Sequence, residues 1–329
     1  DAARWDRLPV ERIADLANLV GDAWVNIPHG ADDGFVVNFA RVLKTRLALE
    51  RRVLVELSNE AWNGGFRQIA DLAQVGCSRY ADLTLACDQE GGSAPNGRLC
   101  EGFPARWNDA CGRAARRWYA QRAKEVWRVF DAELGRARVV HVLGGQSSVA
   151  GVNADLLDYA TGETDALAVA AYVGGELGGN PAVPGWSLDT LFRALMTDGP
   201  QCDPRARDPA AAGCSSLTVT VASIDKDLLL LKSYQVGLVF YEGGQHLVGR
   251  GALKDNAALN TLFDAAQRDP RMETLYERLF TELKKRPVGT FYHFNDVIVH
   301  SKHGRWGARE YVHQSDTPKV RAIAHFTAP

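Results

Sequence analysis

The sequence lacks any long apolar run. Among its 329 residues, apolar stretches such as Leu228 to Leu231 are short, and this one directly follows three charged residues, whereas a membrane-spanning helix needs about 18 apolar residues. A strongly basic balance is also missing, because the formal net charge is -2 and both signs are mixed along the chain. Binding to nucleic-acid phosphates requires clustered cations. We therefore expect neither a membrane nor a nucleic acid as a partner.

Several motifs of cofactor binding and catalysis are absent. The glycine-rich residues 174–179 have neither the Gly-x-Gly-x-x-Gly spacing nor the acidic residue that follows it in dinucleotide sites. Residues 145–148 do not form the Gly-x-Ser-x-Gly elbow of serine hydrolases. His300 and His303 are three apart, but the basic residues beside them would repel a cation. We expect no cofactor and no metal.

Six cysteines are present, at positions 77, 87, 100, 111, 202 and 214, and none forms a Cys-x-x-Cys pair. That spacing does not suit zinc or dithiol chemistry. We expect disulfides, and therefore an oxidising compartment, which makes the protein secreted or periplasmic. Six reduced, partly buried thiols in a cytosolic protein are the alternative. A hydrophobic content of 46% allows a large buried core in either case.

Hydrophobic periodicity predicts strands that alternate with helices. The predicted strands are residues 23–28, 52–57, 139–143, 166–173, 236–241 and 288–294. The predicted helices include residues 10–20, 35–47, 114–134 with Gly135 closing the helix, 187–196 with Ser187 as the N-cap, and 272–285. Residues 77–112 are rich in Cys, Gly, Asn and Asp, which is typical of a long loop insertion.

Alternating strands and helices indicate an α/β fold with a parallel sheet. Polar residues recur just after the predicted strands, where a (β/α)8 TIM barrel gathers its active site. They are Asn26, Glu60, Gln146, Tyr172, Glu242 and Asn295. Six strands are two short of a closed barrel, and only 22 residues precede the first. We expect a single catalytic domain over residues 1–329 that supplies strands three to eight, with an upstream segment completing the barrel; an incomplete barrel is the alternative.

Two glutamates stand where glycoside hydrolysis would need them. That reaction uses one protonated carboxyl group to release the leaving oxygen and one carboxylate to attack the anomeric carbon. The run VLVELSNEAWN places Glu60 after one predicted strand, and VGLVFYEGGQH places Glu242 after another. Gly243 and Gly244 would let the backbone turn sharply behind Glu242. A lone strand-end glutamate is more often a surface ion-pair residue, but two in this order favour a catalytic pair.

The phrases ELSNEAWN and YEGGQHL resemble the signature of glycoside hydrolase clan A. In that clan the acid/base follows Asn on strand four and the nucleophile ends strand seven. With residues 23–28 as strand three, Glu60 falls on strand four and Glu242 on strand seven. The phrases are also similar to bacterial secreted proteins described as cellulose-binding or cellulase-like. The resemblance covers most of the chain through strand order, and only these two motifs are specific.

The resemblance also implies a set of substrate-binding residues. Asn59 is expected to bind the 2-hydroxyl of the sugar, Tyr172 to donate a hydrogen bond to Glu242, and Trp306 to form a sugar platform. The clan's His-x-Tyr pattern is broken here, because Ala170 precedes Tyr172. Further expected substrate contacts are Trp62, Asn26, His29, Gln146, Tyr241, His246 and Asn295. The tryptophans as packing residues and the histidines as structural hydrogen-bonding groups are the alternatives.

The sequence thus predicts a retaining glycoside hydrolase that cleaves a β-linked oligo- or polysaccharide by double displacement. Glu60 is the expected acid/base and Glu242 the expected nucleophile, with their carboxyl groups about 5 to 5.5 Å apart, as retention requires. A carbohydrate-binding protein that kept the barrel without the chemistry is the alternative, and a structural or adhesion barrel is a third possibility.

Overall fold

The computed structural model describes residues 9–91, residue 100 and residues 110–327. These residues contain six strands that form one sheet in chain order: Ala23–Ile27 (β1), Val53–Leu57 (β2), Val139–Gly144 (β3), Ala166–Val173 (β4), Gly237–Gln245 (β5) and Val288–Phe291 (β6). The helices are Val10–Val20 (α1), Asp33–Arg46 (α2), Arg67–Arg79 (α3), Ala81–Gly91 (α4), Ala110–Leu134 (α5), Ala150–Tyr159 (α6), Leu188–Met196 (α7), Ser216–Leu231 (α8), Ala257–Arg268 (α9), Arg271–Lys284 (α10) and Pro318–Thr327 (α11).

All neighbouring strands run parallel. The pairs from β1 to β4 and the pair β5–β6 have parallel registers. Between β4 and β5, the amide of Gly237 donates to the carbonyl oxygen of Asp165 at 2.9 Å and the amide of His246 donates to that of Val173 at 2.8 Å. Parallel strands in chain order with helices between them are the arrangement of a partial (β/α)8 barrel, so the predicted fold class is confirmed. The upstream pair of strands stays a prediction.

Contacts within the chain define two compact units. The first contains Asp1–Ala168 and Leu230–Gly237, and the second contains Val169–Leu229 and Leu238–Pro329. The first unit holds β1 to β3, and the second holds nearly all of β5 and β6. The single catalytic domain stays a prediction.

The core of the first unit forms between β2 and α5. All five residues of β2 are buried, as expected for a parallel strand covered on both faces. The indole of Trp127, on α5, is fully buried and its Nε1 donates to the carbonyl oxygen of Val55 at 2.9 Å. Gly135 ends α5 with a positive φ of 89°, and its amide donates to the carbonyl oxygen of Asp131 at 2.9 Å. Gly135 is therefore the predicted helix terminator.

All six cysteines form disulfides, which confirms that prediction. The pairs are Cys77–Cys87, Cys100–Cys111 and Cys202–Cys214. The prediction of a loop over residues 77–112 was wrong where the structure describes them, because α3 runs to Arg79, α4 follows directly, and α5 begins at Ala110. The four cysteines of this region are buried and act as small apolar core residues. Residues 92–99 and 101–109 lie outside the described residues.

The second unit packs its helices through apolar faces. Leu259 and Phe263 of α9 and Leu275 of α10 are buried. Ser187 caps α7 as predicted, since its hydroxyl accepts a hydrogen bond from the amide of Thr190 at 3.2 Å. Among the residues that the structure describes, no helix is both long enough and apolar enough to cross a membrane.

Candidate active site

Glu60 lies on a tight turn directly after β2. Ser58 and Glu60 both have positive φ, 60° and 46°, in a region that residues other than glycine rarely adopt. The amide of Ser58 donates to the carbonyl oxygen of Ile27 at 2.6 Å, which ties the start of the turn to β1. The chain therefore leaves the direction of the strand within a few residues of its end.

Glu56, a carboxylate without a predicted role, lies just before this turn on β2 and is fully buried. Its Oε2 accepts hydrogen bonds from Trp24 Nε1 at 3.0 Å and from Asn26 Nδ2 at 2.9 Å. Asn26 Nδ2 also lies 3.0 Å from the carbonyl oxygen of Ser58, to which it donates. Burying a carboxylate is costly unless such donors compensate it. The sequence signal was available: Glu56 is the one charged residue in the apolar run 53–57.

The side chain of Glu60 is half-buried and is oriented by a nearby amide. Asn63 Nδ2 donates to Glu60 Oε2 at 2.8 Å, and the amide of Asn63 donates to the carbonyl oxygen of Glu60 at 2.8 Å. Asn59 is exposed, and its carbonyl oxygen accepts a hydrogen bond from Gln68 Nε2 at 2.8 Å. These contacts fix one oxygen of the Glu60 carboxyl group through a neutral donor.

Asn26 and His29, two predicted substrate contacts, are engaged with protein groups. Asn26 is the donor to Glu56 and Ser58 described above. His29 Nε2 lies 3.2 Å from Asp71 Oδ2, and the imidazole is partly exposed. A structural role for both residues is therefore visible, and their contact with substrate stays a prediction.

Trp62 and Gln146 have different surroundings. Trp62 is half-buried and lines a small cavity with Tyr119 and Leu156 among others. The amide and carbonyl oxygen of Gln146 each bond to the side chain of Asn153 at 2.9 Å. Gln146 Oε1 is buried and has no partner among the described residues. Gln146 therefore keeps a buried acceptor, Trp62 lines the cavity, and the contact of both residues with substrate stays a prediction.

Glu242 accepts the predicted hydrogen bond from Tyr172. The phenol oxygen of Tyr172, at the end of β4, lies 3.0 Å from Glu242 Oε1 on β5. The two side chains belong to the same unit, and the bond between the amide of His246 and the carbonyl oxygen of Val173 keeps their strands in register. A phenol that donates to a carboxylate stabilises its ionised form. The predicted contact between Tyr172 and Glu242 is confirmed. The catalytic role of Glu242 stays a prediction.

The predicted sharp turn behind Glu242 was wrong, because β5 continues through Gln245. The two glycines serve close packing instead. A Cβ on Gly243 would lie 2.7 Å from the carbonyl oxygen of Ala171 and 2.6 Å from the ring of Phe291. Gly244 has a φ of 129°, which favours glycine. The predicted strand 288–294 is correspondingly shorter, since β6 ends at Phe291.

A chain of ring contacts extends from Tyr172 through His246 to Trp306 and Phe294. The imidazole of His246 meets the ring of Tyr172 edge to face at 5.0 Å and the indole of Trp306 at 5.6 Å. Phe294 packs edge to face against Trp306, also at 5.6 Å. Burial lowers the pKa of His246, and the charge of Arg250 lowers it further. His246 is therefore neutral at pH 7 and can donate or accept hydrogen bonds.

Three buried polar atoms in this part of the molecule have no partner among the described residues: His246 Nδ1, Asn295 Oδ1 and Trp306 Nε1. The amide of Phe294 donates to the carbonyl oxygen of Gly243 at 3.0 Å, which places Asn295 next to the strand that carries Glu242. Buried polar atoms are nearly always hydrogen-bonded in proteins or in their complexes. The hydrogen-bonding capacity of these three atoms is therefore unused among the described residues. Tyr241 is half-buried on β5.

Groups of side chains that could hold a metal lie elsewhere in the described part of the chain. Two of them contain cysteines that are already in disulfides, and the third is Glu273, Glu277 and His325 on α10 and α11. Glu60 and Glu242 belong to none of them.

No family model matches the sequence, and no curated protein matches it. Solved structures do match. One is the α-L-arabinofuranosidase from Thermotoga maritima, at 11% identity and a TM-score of 0.38, with 89% of this chain and 51% of that chain covered. A second is the GH51 arabinofuranosidase from Xanthomonas axonopodis pv. citri, at 14% identity and a TM-score of 0.33, with 79% of this chain and 48% of that chain covered. A third is a modular endo-β-1,4-mannanase from Cellulomonas fimi, at 13% identity and a TM-score of 0.33, with 89% of this chain and 56% of that chain covered. The chain spans about half the length of the first two structures.

These names describe the matched proteins. For this chain, the partial barrel rests on its own six parallel strands, which follow one another in chain order. Glu60 follows the second of them and Glu242 lies on the fifth, three strands later.

Proposed function

We propose that the protein is a retaining glycoside hydrolase that cleaves a β-linked glycan, with Glu60 as acid/base and Glu242 as nucleophile. The observation that carries the proposal is the hydrogen bond from Tyr172 to Glu242 among aromatic rings. It orients a carboxylate beside buried polar atoms that suit sugar hydroxyls. Further support is that β2 and β5 are parallel strands, whose carboxyl ends gather the catalytic groups in barrels.

In the first step, Glu242 Oε2 attacks the anomeric carbon while Oε1 keeps its bond to Tyr172. The bond between the anomeric carbon and the glycosidic oxygen breaks, and the proton of Glu60 moves to that oxygen. Asn63 donates to Glu60 Oε2, so Oε1 is the oxygen that carries the proton. The product of this step is a glycosyl ester of Glu242 with inverted configuration at the anomeric carbon.

In the second step, the ionised Glu60 takes a proton from a water molecule, and the water oxygen attacks the anomeric carbon. The ester bond to Glu242 breaks and its carboxylate is regenerated. Two inversions give net retention. Trp306, His246 and Asn295 would contact the sugar, since an aromatic face packs on the apolar face of a pyranose and the unpartnered atoms meet its hydroxyl groups.

The expected working environment is extracellular or periplasmic. Three disulfides are typical of proteins from oxidising compartments such as the extracellular space and the periplasm. The glycan itself is to be identified by experiment, beginning with 2,4-dinitrophenyl β-glycosides of glucose, galactose, xylose and mannose.

Stereochemistry of azide rescue distinguishes the two roles. In Glu242→Ala, hydrolysis should stop, and azide should attack the glycoside directly and give an α-glycosyl azide. In Glu60→Ala, dinitrophenyl glycosides need no acid to leave, so the glycosyl ester still forms and azide should give a β-glycosyl azide. The matched control is Glu277→Ala, which should keep full activity. Glu277 is an exposed glutamate on α10 that pairs with His325 on α11.

Full activity of Glu242→Ala would refute the proposal. Azide products with the opposite assignment would exchange the roles of the two glutamates. Binding of a glycan without any turnover by the unaltered protein would support the carbohydrate-binding alternative instead. Isothermal titration with the same glycans as in the assays separates these outcomes.

A further inference from the structure

Lys319 is a buried lysine that the proposed mechanism does not use. It stands at the second position of α11 and is 2% exposed. Removing an ammonium group from water costs several kcal/mol per ion unless hydrogen bonds replace the water. A residue retained at such a cost requires an explanation from its contacts.

The ammonium group holds three consecutive carbonyl oxygens. Lys319 Nζ donates to the carbonyl oxygens of Arg305 at 2.7 Å, Gly307 at 3.0 Å and Trp306 at 3.3 Å. An ammonium group has three N–H donors and no acceptor, so the three carbonyls use its full capacity. A neutral amine has two N–H bonds and could hold only two of them.

The next carbonyl along the chain is held by the residue directly before the same helix. Thr317 Oγ1 donates to the carbonyl oxygen of Ala308 at 2.7 Å, and it also accepts from the amide of Val320 at 3.1 Å. Four successive carbonyl oxygens, residues 305–308, are therefore bound to the start of α11. We call residues 305–308 the anchored segment. Its backbone has little freedom to move without breaking several of these bonds.

Neighbouring contacts fix the anchored segment from its other sides. Gln245 Nε2 donates to the carbonyl oxygen of Arg305 at 2.7 Å. The guanidinium of Arg305 is buried, pairs with Asp264 and donates to Asn260 Oδ1 at 2.8 Å. A Cβ on Gly304 would lie 1.8 Å from the indole of Trp306, so that ring packs directly over the glycine.

We propose that Lys319 is a positioning residue that sets the indole of Trp306 against His246, and through it the sugar-binding surface beside Tyr172 and Glu242. The carrying observation is the three-carbonyl contact of Lys319 to the segment that bears the indole, followed by the 5.6 Å ring contact to His246. The inference rests on the proposed function for its consequence in catalysis. The positioning itself is measurable without any substrate.

The test is ¹⁹F NMR of protein labelled with 5-fluorotryptophan. The chain has eight tryptophans, and the Trp306 resonance is assigned by its loss in Trp306→Phe. In Lys319→Met, this resonance should broaden and move toward the position of the free amino acid, while resonances from the first unit stay in place. Lys302→Met is the matched control, because Lys302 lies in the same loop, is half exposed and pairs with Asp255; its spectrum should be unchanged.

A second measurement on the unaltered protein covers the case in which Lys319→Met does not fold. Burial lowers the pKa of Lys319 to about 7, opposed by the charge of Glu310. The other titratable groups facing it change charge at lower pH: burial lowers the pKa of His293 to about 3 and of His300 to about 4, and Arg268 lowers that of Glu310. Deprotonation of Lys319 removes one N–H, so the Trp306 resonance should titrate between pH 6 and 10.

A Trp306 resonance that keeps its position in folded Lys319→Met, or that stays constant to pH 10 in the unaltered protein, overturns the inference. Kinetics give the functional consequence. Misplacing a sugar-binding surface weakens binding, so Lys319→Met should lower kcat/KM about tenfold, mainly through KM. If the unaltered protein hydrolyses none of the glycosides, the proposed function fails, while the NMR result still decides the role of Lys319.

Discussion

Replacing Tyr172 with Phe removes one oxygen atom and the hydrogen bond to Glu242 Oε1, with little change in packing against His246. A hydrogen bond to a charged group contributes about 1.5 to 3 kcal/mol. Tyr172 and Glu242 are half-buried, so water replaces part of the lost bond and the lower end of this range applies. Since 1.36 kcal/mol corresponds to one pKa unit, the carboxylate should become about one unit easier to protonate.

The assay is the pH dependence of kcat/KM with the best aryl glycoside. Its acid limb reports the ionisation of the nucleophile in the free enzyme. The hydrogen bond favours the ionised form, so its loss raises the pKa that governs this limb, and activity is lost at a higher pH as the solution is acidified. We expect the limb of Tyr172→Phe to move up by about one unit.

An acid limb that coincides in the two proteins would refute this reasoning, whatever happens to the maximal rate. Tyr234→Phe is the control, because the phenol oxygen of Tyr234 also donates to a carboxylate, Asp158 Oδ1, at 2.8 Å. Both residues of that pair belong to the first unit, whereas Tyr172 and Glu242 belong to the second, so this variant should leave the profile unchanged. A shift in both variants would indicate a general effect on folding.

Two predictions concern stability. The disulfide between Cys202 and Cys214, which are 12 residues apart, should stabilise the fold by about 3 kcal/mol. A Cys202→Ser/Cys214→Ser variant should therefore unfold at a lower urea concentration. An unchanged midpoint of urea unfolding would contradict the expected stabilisation. Burial lowers the pKa of His293 to about 3, below its unfolded value of about 6.5. The contribution of the neutral His293 to the free energy of unfolding is therefore present above pH 6.5 and is lost as the pH falls toward 3. Between pH 6.5 and 4.5 the loss should be about 2 kcal/mol, and urea titrations should show a smaller loss in His293→Gln than in the unaltered protein.

The strands and the long helices could be predicted from the sequence because their signals are local. Apolar runs in β2 and β3, the cap at Ser187 and the terminator at Gly135 all depend on a few neighbouring residues. The Tyr172–Glu242 contact was predicted from the resemblance to clan A and not from periodicity, and the structure confirms it between the neighbouring strands β4 and β5.

Other features depend on contacts between distant residues, which periodicity does not contain. Glu56 is paired with Trp24 and Asn26 from another strand, so its role is visible only once β1 and β2 are adjacent. Lys319 binds carbonyl oxygens 12 to 14 residues earlier, and backbone acceptors leave no trace in side-chain identity. The helix α4 was not predicted because the composition of residues 77–112 is typical of a loop. Cysteines in such a composition were not counted as apolar residues, although here they pair and are buried.

Several costly features of this molecule occur beside the candidate residues, and others occur elsewhere, such as the positive φ of Gln235 and the buried Asp227. A left-handed Ser58 and Glu60, a fully buried Glu56 and a fully buried Lys319 each lower stability unless their neighbours compensate. Apolar residues at positions 56 and 319 would avoid the desolvation penalty, yet both polar groups are surrounded by bonds that fix a backbone segment next to Glu60 or Trp306. Local rules are expected to be broken where function requires it. Glu56→Gln and Lys319→Met should therefore affect geometry near these segments more than they affect the free energy of unfolding.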